Sequence, residues 1–335
     1  MNIEQAQRAS VTAILAGQTP YLEGPPGVGK TAMAYELPAI LGDDFGIIMV
    51  RLADLESVDG RGMPHVDVEN NRTIWISPEF LPRASEHGER GVLFVDEWPQ
   101  GAPSVQNAFG QLIRERTIGN YTLPDGWVVV LAGNRATDRA ATSMVPSHIR
   151  DRVIRLEVEP DQDVFAKWAA ENGVRADVVS FIRARPTHLE GFDSKEWKSP
   201  TPRGWESVSR VMDQNPDSDI RLAMIAGIVG QGAAGEFLAH FELADYMVPF
   251  SSVVADPEGA DVPERLDVLY AMTGVMARRI DPENLGQVIR YLGRLPQEMA
   301  IITMKDASNR TPAIRETEAF IEWHTRPENV AVHIG

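Results

Sequence analysis

Gly24-Pro25-Pro26-Gly27-Val28-Gly29-Lys30-Thr31 fits the pattern G-x-x-x-x-G-K-[ST], and its surroundings decide the fold. A short apolar run, Tyr21–Glu23, precedes it, and Ala32-Met33-Ala34-Tyr35-Glu36-Leu37 continues it with a helical pattern. Strand, glycine-rich loop and helix in that order are the context a phosphate loop requires. Glycines let the backbone curl until successive N–H groups converge on an anion, and the helix N-terminus adds partial positive charge. Lys30 is placed to neutralise β- and γ-phosphate oxygens, and the Thr31 hydroxyl to ligate Mg²⁺. The bland alternative is a glycine-rich turn with a chance Lys-Thr. The full match in a strand-to-helix setting disfavours it.

Outward from this loop, short apolar runs alternate with helical patterns, which predicts α/β architecture around a largely parallel sheet. The expected strands are Tyr21–Glu23, Ile47–Leu52, Val92–Asp96, Val128–Ala132 and Val153–Val158. Val105, Phe109, Leu112 and Ile113 recur at helical spacing between the third and fourth. Two hairpins are inserted, one around Glu69-Asn70-Asn71-Arg72 and one around Gly119-Asn120. After Pro160 the pattern becomes mostly helical, with patterns near 175–185, 203–213, 219–229, 263–279, 284–294 and 312–324. The expected division is a P-loop core over 1–160, a helical lid over 161–245 and a helical extension over 246–335.

Two strands end in groups that suit a phosphate site. Gly91-Val92-Leu93-Phe94-Val95 runs into Asp96-Glu97, and ligand sites of α/β sheets lie at such carboxyl ends. Asp96 is the candidate Mg²⁺ ligand and Glu97 the candidate base that polarises attacking water. Val128-Val129-Val130-Leu131-Ala132-Gly133 ends in Asn134, which can position that water without repelling it. A turn-forming Gly-Asn competes with this reading. Arg150 and Arg152 precede the fifth strand, and Arg203 stands at a helix start in Thr201-Pro202-Arg203. A guanidinium fork suits charge on a transferring phosphoryl group, and supplied in trans it ties turnover to a neighbour. Surface pairing with Asp151 or Glu157 is the competing role for the first two.

Composition narrows the field. The 335 residues contain no cysteine, which excludes disulfides, zinc-thiolate centres and thiol nucleophiles. The net charge is −16, with 32 basic against 48 acidic residues and no Lys/Arg run, which argues against a broad nucleic-acid footprint. The N-terminal residues lack a signal-peptide pattern, so a soluble cytoplasmic protein without membrane insertion is expected. Gly230-Gln231-Gly232-Ala233-Ala234-Gly235 matches the dinucleotide fingerprint but sits among helical patterns, and reads better as a helix break. Only five of the basic residues are Lys, and Lys30 is the only one before Lys167.

The order of these elements resembles an AAA+ ATPase, and within it the MoxR-like branch. Leu22–Thr31 resembles that branch's Walker A segment, Glu115-Arg116-Thr117-Ile118-Gly119 its insert before the sensor strand, and Thr201-Pro202-Arg203 its sensor-2 element. Asp151-Arg152-Val153 is similar to the family's Asp-Arg-Phe, which favours Arg152 over Arg150 as the finger. Asn134 is followed by Arg135 where the family usually has Pro. The resemblance implies a five-stranded parallel core, a helical lid and a ring, usually a hexamer, with ATP and Mg²⁺ between subunits. It also implies that both hairpins face the axial surface, and that a von Willebrand A-domain partner helps remodel, activate or metal-load a protein target. The alternatives are a motor on nucleic acid using Arg61, Arg72 or Arg116, a nucleotide-gated assembly module with little hydrolysis, and a small-molecule P-loop kinase, for which no acceptor pocket is evident.

Overall fold

The computed structural model describes residues 1–135, 145–193, 195–243 and 248–329, apart from the side chains of His148 and Glu328. The chain forms two compact units, Met1–Glu159 and Pro160–Gly335. The further boundary expected near 245 lies outside the described residues.

The first unit runs α1 (Ile3–Leu15), β1 (Thr19–Glu23), α2 (Lys30–Leu41), β2 (Phe45–Arg51), α3 (Ser57–Arg61), β3 (Met63–Asp67), β4 (Arg72–Ile76), α4 (Ala84–His87), β5 (Arg90–Asp96), α5 (Pro103–Glu115), β6 (Thr117–Ile118), β7 (Tyr121–Thr122), β8 (Gly126–Gly133), α6 (Ser147–Arg150) and β9 (Val153–Glu157). Five strands make one parallel sheet in the order β2-β5-β8-β1-β9. Alternate residues face opposite sides. Leu22, Phe94 and Val130 pack under α1 and α2 with Ala6, Met33 and Leu37, while Tyr21, Leu93 and Leu131 meet Val105 and Phe109 of α5. Both faces are covered, so the central strands read as continuous apolar runs.

The two inserted hairpins form as expected, β3 with β4 and β6 with β7. The first pairs from Met63↔Ile76 to Asp67↔Arg72, which leaves Val68 in the turn. Asn71 takes the left-handed conformation there, at φ 47°.

The second unit carries helices and no strand among its described residues: α7 (Gln162–Glu171), α8 (Ala176–Ala184), α9 (Pro202–Asp213), α10 (Ser218–Val229), α11 (Gln231–Glu242), α12 (Phe250–Ala255), α13 (Leu266–Arg279), α14 (Leu285–Leu292), α15 (Gln297–Arg310) and α16 (Glu318–His324). Asp161 caps α7 by accepting from the Asp163 and Val164 amides. One apolar cluster gathers Phe181, Trp205, Ile225 and Phe237, and another Met272, Leu285, Tyr291, Met304 and Trp323. Gly230, at φ +88°, breaks α10 from α11, and Gly232 and Gly235 lie inside α11. The dinucleotide fingerprint therefore has no strand–turn–helix to serve. Among the described residues no helix is long and apolar enough to cross a membrane.

His240 is buried on α11, with Nε2 2.9 Å from Ser180 Oγ. Burial pushes its pKa down to about 4, with Arg185 acting in the same direction and Asp177 and Asp267 opposing. An unfolded histidine binds its proton at about 6.5, so between those values the unfolded state holds more protons and stability falls as pH drops. The loss between pH 7 and pH 5 is on the order of 2 kcal/mol. Urea midpoints at the two pH values should separate more in wild type than in His240→Gln. Equal separations would remove His240 from the acid response.

Candidate active site

Parallel pairing brings the carboxyl ends of β5, β8 and β1 to one edge of the sheet. From that edge β1 feeds the glycine-rich loop, β5 delivers Asp96 and Glu97, and β8 delivers Asn134. The Gly24 amide donates to the Gly133 carbonyl at 3.2 Å, which pins the start of the loop to the end of β8. A Cβ on Gly24 would stand 2.5 Å from the Val158 carbonyl oxygen, so glycine is required for the loop to pass. Gly29 precedes α2 at φ 100°, a conformation glycine adopts freely.

Lys30 is only 7% exposed, and its ammonium donates to Gly24 O at 2.7 Å, Pro25 O at 2.9 Å and Asn134 Oδ1 at 3.1 Å. A buried ammonium is costly unless hydrogen-bonded, and here the loop's own carbonyls satisfy it. Thr31 Oγ1 donates to Asp96 Oδ2 at 2.7 Å, while the other Asp96 oxygen accepts from the Glu97 amide at 2.8 Å. Glu97 itself is left-handed, at φ 55° and ψ 35°. That conformation is uncommon for a residue with a Cβ and marks stored local strain. Hydrogen bonds thus join Lys30 to Asn134 and Thr31 to Asp96, and Glu97 follows directly on Asp96.

This donor set fits a nucleoside triphosphate with a hard divalent ion. Loop amides, the α2 N-terminus and Lys30 face the place for phosphate, and the Thr31 hydroxyl and Asp96 carboxylate supply adjacent oxygen ligands. Among the described residues no three His, Cys, Asp or Glu side chains gather to hold a metal. A Mg²⁺ ion held by Thr31 and Asp96 would need phosphate and water to complete its ligands, as is usual for it.

The arginines are placed differently. In the register Thr19 pairs with Val153 and Glu23 with Glu157, so Arg152 enters β9 beside the start of β1. Six residues separate Gln18 from Gly24, roughly 20 Å of strand. Arg152 therefore stands at the opposite sheet edge from the phosphate loop of its own chain. Gly17, Gln18, Thr19, Ile113, Asp151 and Arg152 line a cavity of about 330 Å³ there. Arg150 ends α6, and both arginines are exposed without a carboxylate partner among the described residues. Arg203 sits exposed in the first turn of α9, in the other unit, where Thr201 caps the helix by accepting from the Gly204 amide at 3.0 Å. Arg116 is committed elsewhere: it donates to the carbonyls of Pro124 at 2.7 Å and Trp127 at 3.0 Å, locking the second hairpin to β8. Arg72 pairs with Asp67 at 3.0 Å.

Residues 21–152 match the family model described as AAA domain (dynein-related subfamily). The architecture is the α/β AAA+ fold. The chain is an ATP-hydrolysing enzyme. Solved structures similar to it include the RuvB Holliday junction branch migration motor of Thermotoga maritima, at 17% identity over 87% of this chain and 85% of that one, TM-score 0.39. A DNA polymerase III gamma subunit-related protein of the same organism matches at 14% identity over 95% and 96%, TM-score 0.37. NtrX from Brucella abortus matches at 12% identity over 73% and 61%, TM-score 0.41.

Proposed function

We propose that this chain hydrolyses Mg-ATP at the interface between copies assembled in a ring, usually a hexamer in the family it resembles, and uses turnover to remodel a protein target. Lys30 and the loop amides hold the phosphates, and Thr31 and Asp96 hold Mg²⁺. The ion, when bound, withdraws charge from the phosphate oxygens. Glu97 takes the proton of the attacking water, and Asn134 orients that water. Through its resemblance to the family's sensor-2 element, Arg203 is given the role of sensing nucleotide. The observation that carries the oligomeric part is the position of Arg152: exposed, unpaired with acid among the described residues, and about 20 Å of strand from its own phosphate loop. A finger so placed serves a neighbour's nucleotide.

The protein-target reading leans on charge and on the first hairpin. The chain carries −16, and Met63, Val66, Val68 and Ile76 of the hairpin are exposed apolar side chains. Apolar exposure of this kind fits protein contact better than phosphate contact. A von Willebrand A-domain partner, and activation or metal loading of the target, belong to the same reading through the MoxR-like resemblance.

Mixing two inactive variants tests the interface directly. Arg152→Ala retains its own ATP site but lacks the finger, and an arginine finger is worth about 10³–10⁵ in turnover. Lys30→Ala lacks the site but retains the finger. Mixed rings should recover hydrolysis that neither variant shows alone. Wild-type turnover by Arg152→Ala shifts the role to Arg150 or removes the trans mechanism. Turnover stimulated by DNA and suppressed by salt moves the target to nucleic acid.

A further inference from the structure

Arg135 stands directly after Asn134 and is used in an unexpected way. Its Nη2 donates to the Val158 carbonyl at 3.2 Å and to Glu159 Oε1 at 3.3 Å, and its Nε lies 3.9 Å from Glu157 Oε1. The Nε atom is buried without a hydrogen-bond partner. Because β1 lies between β8 and β9, the side chain reaches across the strand that feeds the phosphate loop, a span of about two strand spacings or roughly 9.5 Å. Beneath it Val158 N donates to Glu23 O at 2.7 Å, and the Val158 carbonyl closes on Gly24. One dipeptide thus touches both sides of the loop's base. Asn134 accepts from Lys30, and Arg135 holds the exit of β9.

That exit has a special place in the chain. Glu159 is the last residue of the first unit, and Pro160 opens the second. The segment also carries carboxylates at Glu157 and Glu159, with Glu23 close by and paired to Arg155. Acids gathered near a polyphosphate site oppose its charge, and Arg135 and Arg155 offset them. When phosphate arrives, Lys30 must give up partners among Gly24, Pro25 and Asn134, because its ammonium has three protons to donate. Release of Asn134 frees the peptide that also carries Arg135.

We propose that Arg135 is a positioning residue that couples the state of Lys30 and Asn134 to the Val158–Glu159 exit, and so to the connection into the second unit. The proposal rests on the nucleotide-site reading above. In the family it resembles, this position is usually Pro, which has no donor to reach β9. The coupling is therefore a property of this sequence.

Hydrogen exchange of the amides of residues 157–159 and 161, with and without a non-hydrolysable ATP analogue, reads the coupling, and steady-state kinetics read its consequence. In wild type the analogue should change exchange across the segment. Arg135→Ala should bind the analogue within about threefold of wild type, lose that change, and lower kcat about ten- to a hundredfold with little shift in KM. Arg135→Lys, which retains a donor to Val158 or Glu159, should recover part of both. Glu159→Gln, which removes only a charge, carries the test if Arg135→Ala does not fold, and should weaken the exchange response in the same direction. A wild-type exchange response and kcat in Arg135→Ala overturns the proposal, as does a raised KM with unchanged kcat, which makes Arg135 a mere support of the loop. Failure of the nucleotide-site reading looks different: wild type itself would show no analogue binding, or Lys30→Ala would bind as wild type does.

Discussion

Lys30→Ala should lose ATP affinity by at least about a hundredfold and hydrolysis with it, while the fold survives. Lys30 is 7% exposed, and two of its ammonium's partners, Gly24 O and Pro25 O, belong to the loop itself. Those bonds keep the ammonium inside the loop before any phosphate arrives, and it exchanges some of them for phosphate oxygens on binding. Hydrogen bonds to charged groups are each worth about 1.5–3 kcal/mol, and Lys30 can make two to the β- and γ-phosphates. Losing both is about 3–6 kcal/mol, or roughly a hundred- to ten-thousandfold in affinity. Titration calorimetry with ATP and Mg²⁺ measures it, and a thermal melt beside it checks folding. Lys30→Arg should not rescue, because a planar fork does not fit where a compact ammonium is ringed by main-chain carbonyls. Tight binding in Lys30→Ala would put the nucleotide somewhere other than this loop. The choice of lysine stands out in a chain where only five of 32 basic residues are Lys and Lys30 is the only one before Lys167.

The first unit was legible because its signals are local. Each central strand is buried on both faces and appears as an uninterrupted apolar run, and each site residue sits at the end of such a run. Glu97 after Asp96, and Asn134 after Gly133, needed only strand polarity to be placed on one edge. The second unit hid several elements for physical reasons. The buried residues of α15 are Met299, Ala300, Thr303, Met304, Asp306, Ala307 and Ser308, so three of the seven are polar. Asp306 is satisfied there by Arg183, 123 residues earlier, at 2.6 Å and 3.2 Å. No window of sequence shows that such an acid belongs in a core. Helix α1 is hidden in the same way, since its buried residues are Ala6, Ser10, Ala13 and Ile14.

Arginine was the least legible residue type. Arg116 looked like a cation free to meet a ligand, yet its guanidinium closes a hairpin onto three main-chain carbonyls, those of Pro124, Asp125 and Trp127. Arg135 looked like a small departure from a familial Pro, and it ties together two strand ends. A long side chain with five donors can serve carbonyls far along the chain, and sequence spacing says nothing about which. The only hint for Arg135 was its charge directly after a candidate sensor.

Glu97→Gln should bind ATP within a few-fold of wild type and hydrolyse it about 10²–10⁴ times more slowly. Gln is nearly isosteric with Glu and leaves the main chain unchanged, so the amide of residue 97 still donates to Asp96 Oδ1, as it does now at 2.8 Å. The Thr31–Asp96 pair, at 2.7 Å, is equally untouched, which leaves the Mg²⁺ ligands in place. What disappears is the carboxylate's ability to accept a proton from water. The backbone at Glu97 strengthens the expectation. A left-handed residue with a Cβ costs on the order of 1–3 kcal/mol, and a turn with no other task would be better served by Gly or Asn at φ 55°. Strain retained at a strand end beside a phosphate loop implies that the side chain is needed there. Asp96→Asn supplies the contrast, since it removes a Mg²⁺ ligand and should weaken Mg-dependent binding as well as turnover. Single-turnover hydrolysis and equilibrium binding, measured side by side, separate the two variants. A wild-type rate in Glu97→Gln would take the residue out of the chemistry and leave its strained backbone without a cause.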